Sequence, residues 1–178
     1  DGAGGLKVLQ VAEPLALVQT AAVALPGLSA MIAVQGQRVA ITSPTGHLHV
    51  VDVSTPADPK VVLAWQAPGP LWGMSALSNP ALGIVASGNA LIAFEWPVSG
   101  TAVGAVVRDV ERSWDYALDV DALGAGPAVG QVLASEFSSV RLLSLVPQAT
   151  ALHTLLLPKA VFAKAQVVGG TLQTSQTL

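Results

Sequence analysis

The chain is a succession of short apolar runs divided by Gly, Pro, Asn and Asp, with the two-residue alternation of strands. Leu48, Val50 and, beyond them, Val53 show the alternation, while Val-rich runs such as VVDV at 50–53 suit strands packed on both faces. Residues 8–25 are apolar and Ala-rich enough to imitate a helix. Pro14 and their match to residues 50–67 favour strands instead. The pattern predicts an all-β chain.

The runs recur. GGLKVLQVAEP (4–14) lies over GHLHVVDVSTP (46–56) without a gap at an offset of 42, matching Leu6 to Leu48, Val8 to Val50, Val11 to Val53 and Pro14 to Pro56. Pro26-Gly27 matches Pro68-Gly69 in the same register, and NALIAFEW (89–96) follows at an offset of 43. SSVRLLSLVP (138–147) is a looser fourth copy. Each copy is preceded by an apolar strand, a turn and a second strand, at 28–42, 71–87, 113–135 and 161–175. The turns carry Gly36, Asn79-Pro80, Gly124 to Pro127 and Gly169-Gly170, residues suited to tight hairpins.

A unit of about 43 residues therefore holds four strands, the content of one antiparallel β-propeller blade. Units are expected at about 28–70, 71–113 and 114–160. The remainder is an outer pair at 5–27 and an inner pair at 161–178, which together make one more blade. The expected fold is a single propeller domain over 1–178, of four blades, with the closing blade shared by the two ends. A half-ring that assembles into a larger propeller is the alternative.

Composition narrows the function. Of the 178 residues, 52% are hydrophobic and only 11% charged, so some apolar surface is expected to be covered by a protein partner or by self-association. A net charge of −3 without a basic stripe argues against nucleic acid. The absence of cysteine excludes disulfides and thiolate metal frameworks. Apolar stretches are interrupted well before the roughly 20 residues of a transmembrane helix. The chain starts at Asp1, as a processed product or fragment would, and DGAGG at 1–5 reads as a leader or turn rather than a signal peptide.

HLHVVDVSTPADPKVVLAWQAPG (47–69) resembles the LVIVD repeat of bacterial and archaeal propeller proteins. The likeness is carried by VVDVS at 50–54, the TPADP turn at 55–59, the strand from Lys60 to Trp65 and Pro68-Gly69. MIAVQGQRVAIT (31–42) is similar to that repeat's first two strands. The resemblance implies a propeller and a secreted or cell-surface setting, and it brings no catalytic residues. Gln10 and Glu95 depart from it where Asp52 stands, as does the loss of the Pro-rich turn after residue 147. Asp52 and Asp58-Pro59 read as turn-forming residues.

Candidate chemistry is sparse. Asp115, Asp119 and Asp121 alternate onto one face of a strand that would be innermost in its blade. There they would line a central channel and could take calcium, with Asp119 and Asp121 the candidate ligands, or act as acid and base. No other cofactor is expected. His47 and His49 share a strand face and could ligate a transition metal, but no third ligand is legible and a packing role is favoured. Trp72 and Trp114, 42 apart, could form a binding rim, or wedge blades together, which is favoured. Ser113, Ser135 and the histidines lack a nucleophile elbow. The expected function is non-enzymatic protein binding or scaffolding, with an ion-binding or hydrolytic channel as the rival.

Overall fold

The structure is a computed structural model and describes residues 5–13, 16–78, 81–97, 108–123, 131–136, 139–144, 150–156, 162–168 and 171–177. Every element in these residues is a β-strand, and every pairing between strands is antiparallel. The chain is all-β. It divides into two compact units, the first running to Leu71 and joined by Trp96 and Pro97, the second formed by 72–95 and the strands after them.

In the first unit, strands β1 (Leu6–Glu13) and β2 (Ala16–Val23) make a two-stranded hairpin. Strands β3 (Met31–Gln35), β4 (Arg38–Thr42), β5 (His47–Asp52) and β6 (Lys60–Gln66) follow as a four-stranded meander in chain order. This sheet lies wholly within the unit read from sequence as 28–70. Turn chemistry sets its register. Gly36, at φ 57°, and Gln37 join β3 to β4, so that Gln35 faces Arg38. Between β4 and β5, Ser43-Pro44-Thr45-Gly46 closes a turn in which Gly46 N–H donates to Ser43 O at 2.8 Å. The Ser43 hydroxyl accepts from Thr45 N–H at 3.1 Å and fixes the bend. Between β5 and β6, Asp58 N–H donates to Thr55 O at 2.9 Å across Pro56 and Ala57, the turn role expected of this segment.

All five residues of β4 are buried, so both faces of this sheet are covered at β4. On one face Val39, Ile41 and Val51 pack with Leu25, and Leu6 and Val23 at the base of the β1–β2 hairpin complete the cluster. Ala40, Leu48 and Val50 alternate onto the other face and are fully buried. The far half of the hairpin is different: Leu9, Val11, Leu17 and Val18 are exposed, Val11 at 66%.

The second unit holds β7 (Met74–Ser78), β8 (Ala81–Glu95), β9 (Arg108–Leu123), β10 (Gln131–Glu136), β11 (Ser139–Ser144) and β12 (Thr150–Leu156), paired in chain order. A further hairpin joins β13 (Phe162–Val168) to β14 (Thr171–Thr177). Among the described residues neither β1–β2 nor β13–β14 is paired to another strand.

β8 folds back on itself. Residues 83 and 94 would lie roughly 36 Å apart in an extended strand, yet a Cβ at Gly83 would overlap the Phe94 ring. Gly88, at φ 55°, supplies the reversal beside Asn89. Ile84, Ala86, Leu91 and Ala93 consequently share one core with Leu77, Val120 and Val132. β9 is interrupted as well. Arg112 pairs with Ala90 and Ala117 with Gly88, so β9 uses five residues where β8 uses two. The expected boundary between units at 113 and 114 falls in this interruption. Beyond it β9 pairs with β10 and also runs beside β7, where Gly73 N–H donates to Leu118 O at 3.1 Å.

Candidate functional site

Polar groups of the first unit converge at the start of β5. His47 and His49 lie two residues apart on one face, their rings nearly parallel at 17° with centroids 5.8 Å apart. His49 stands opposite Ile41 on β4 and Ala64 on β6, and His47 stands opposite Gln66. His49 is 5% exposed, and neither ring nitrogen has a hydrogen-bond partner among the described residues. Burial, and secondarily the neighbouring His47, hold its pKa below the ordinary 6.5. The ring is therefore neutral at physiological pH.

The turn before β5 frames this pair. Ser43 Oγ and Thr45 Oγ1 are 2.7 Å apart. Gly27, at φ 84°, lies so close over them that a Cβ there would sit 2.7 Å from Thr45 Oγ1 and 3.1 Å from His47 Cδ2. On the other side the Gln66 amide donates to Thr45 O at 2.9 Å and to Ala67 O at 3.2 Å. With both amide hydrogens committed, Gln66 offers only its side-chain oxygen across from His47.

A second feature is a groove of about 360 Å³ between β1 and β3, lined by Leu6, Leu9, Ala30, Met31, Ile32 and Ile41 among others. Its lining is mostly apolar, and its volume falls in the range of small-ligand and peptide clefts. β3 is the edge of its sheet, with Ile32 and Val34 more than half exposed.

The acidic residues singled out by sequence lie in the second unit. Asp119 and Asp121 are both on β9, exposed, opposite Ser135 and Leu133 of β10. Asp119 Oδ1 accepts from Val120 N–H at 2.9 Å, and its carboxylate stands against Gly73. Asp115 falls in the interrupted stretch of β9, between Arg112 and Ala117. The side chains of Asp115 and Trp114 lie outside the described residues. Trp72 is half-buried just before β7, and its backbone N–H donates to Ala86 O at 2.9 Å. Among the described residues no three His, Asp or Glu side chains gather as a metal cluster.

Two buried charge networks escaped the sequence reading. Arg38 Nη1 lies 2.6 Å from Asp52 Oδ1, and Arg38 Nε donates to Pro97 O at 3.2 Å. In the β10–β11 hairpin the Ser139 hydroxyl donates to Glu136 Oε2, and Arg141 Nη1 lies 3.5 Å from Glu136 Oε1. The Arg38, Glu136, Ser139 and Arg141 side chains are buried, and Asp52 is partly exposed. Both networks fit the cost of burying charge without a partner, and each spans adjacent strands, a relationship that residue spacing alone does not reveal.

Comparison with protein-family models gives no match. Comparison with curated proteins gives none either. No helix among the described residues is long and apolar enough to cross a membrane.

Proposed function

We propose that the chain is a non-enzymatic propeller that binds or scaffolds a protein partner, its fourth blade closed by β13–β14 seating along β1. The observation that carries this reading is the apolar groove on the β1 side of β3, next to a strand whose sequence copy, β5, is flanked on both sides. The hairpins support it too. Gln35 faces Arg38 and Val168 faces Thr171, so both pairs are joined through two residues and superimpose in register. Shifting β4–β5 pairing by the repeat offsets sets Thr174 opposite Lys7, the equivalents of Ile41 and His49. Closure would leave the exposed far end of β1–β2, with Val11, Leu17 and Val18, as the partner-binding surface. The resemblance of residues 31–69 to the LVIVD repeat adds a secreted or cell-surface setting to the proposal.

The chain has no cysteine, so Lys7→Cys with Thr174→Cys gives an unambiguous cross-link. Facing residues in an antiparallel pair have Cα atoms about 4.5–5.5 Å apart, within disulfide reach. The expected product is an intramolecular disulfide in a monomer. Failure to oxidise, or a disulfide-linked dimer in its place, overturns intrachain closure. For the binding surface, sedimentation of the chain and of Val11→Lys/Leu17→Lys is the measure. Concentration-dependent association lost in the folded double variant supports the surface. Association unchanged by the substitutions overturns it.

A further inference from the structure

We propose that His47 and His49 form a two-imidazole site for a divalent transition-metal ion of the Cu²⁺, Ni²⁺ or Zn²⁺ class, with the Gln66 side-chain oxygen as the additional protein donor. The site is distinct from the groove and from the acidic residues of β9.

Two observations meet here. A strand repeats its side-chain direction every second residue, so His47 and His49 leave one face at nearly the same height, and their parallel rings at 5.8 Å are the stacked form of that arrangement. An imidazole binds an ion in its own ring plane at roughly 2.0–2.1 Å, so sharing one ion requires the half-buried His47 ring to turn out of the stack toward His49. Second, His49 is buried with both nitrogens unpartnered among the described residues, although leaving a buried polar group unsatisfied is costly. A ligand that accepts a lone pair removes that cost at one nitrogen.

The surroundings define the chemical class. Imidazole nitrogen with one amide oxygen suits Cu²⁺, Ni²⁺ and Zn²⁺, with Cu²⁺ bound most tightly of the three. Calcium and magnesium demand a shell of oxygens that this face does not offer. His47 and Gln66 are respectively half-buried and exposed, and Ala64 beside His49 is small and exposed, so β6 leaves the His47 end of the pair open to solvent while His49 itself is covered.

The test uses the full chain and Cu²⁺ alone, read by titration calorimetry and by pulsed paramagnetic resonance of the bound ion. One high-affinity Cu²⁺ per chain with two coupled imidazoles is expected. His47→Ala, at a half-buried position that should leave the fold intact, should weaken binding by more than about tenfold, the scale of even outer-shell losses, and leave at most one imidazole signal. His153→Ala should change neither readout. Binding that is indifferent to His47→Ala in a folded protein, or equally lost in His153→Ala, overturns the site. So does a wild-type signal from one imidazole or none. Because none of these readouts depends on ring closure, they can fail while the propeller reading stands, and the reverse.

Discussion

The Arg38 guanidinium and the Asp52 carboxylate meet at 2.6 Å across the β4–β5 pair, where the two residues are directly opposite in register. Asp52 thus has two tasks. It ties β4 to β5, and its Oδ1 accepts from Ser54 N–H at 2.8 Å as the chain leaves the strand. The Ser54 hydrogen bonds, and then Arg38, hold its pKa below the ordinary 3.8.

A depressed pKa in the folded state fixes the sign of the pH dependence. Above 3.8 both folded and unfolded chains carry the carboxylate, and its contribution to stability is complete. As pH falls below that value the unfolded chain takes up the proton first, and the contribution is lost through the folded pKa. Denaturant midpoints measured from pH 5 downward should therefore fall less steeply for Asp52→Asn than for the wild type. At neutral pH Asp52→Ala should cost about 3 kcal/mol, because it strands a largely buried Arg38. A loss near zero in urea unfolding would refute the structural importance of the pair.

The fold-back of β8 predicts coupling between residues 83 and 94. Gly83→Ala sets a methyl group into the Phe94 ring and should cost about 1–3 kcal/mol by overpacking. Phe94→Leu opens space at the same point, so the double variant should be more stable than the sum of the single losses implies. Additive losses in a double-mutant cycle would mean that the two residues do not touch.

Thr42 carries a hydroxyl that is fully buried and has no hydrogen-bond partner among the described residues. Thr42→Val keeps the shape and the β-branch and removes the unpaired group. It should be neutral or stabilising by up to about 1 kcal/mol in thermal or urea unfolding. A loss of more than about 1 kcal/mol would show that the hydroxyl has a partner, such as a buried water.

The strand content and much of the local geometry were legible in the sequence because they depend on neighbours along the chain. The alternation through Leu48 and Val50, the Gly36 turn and the TPADP bend each reflect local dihedral preference and facing. The four-strand content of residues 31–66 followed from those signals alone. What tertiary structure decided is everything set by partners distant in sequence. Asp52 read as a turn residue and does accept from Ser54 N–H, but its pairing with Arg38 across the ladder was not legible. Asp119 and Asp121 share the exposed face of β9 that alternation gives them, whereas the irregular register of β9 before Ala117 was not legible in the sequence. His47 and His49 shared a face by alternation, but only the packing of Ile41 and its neighbours buried one ring and left its nitrogens without partners. Periodicity fixes which way a side chain points, whereas desolvation and pairing depend on what the fold brings opposite it.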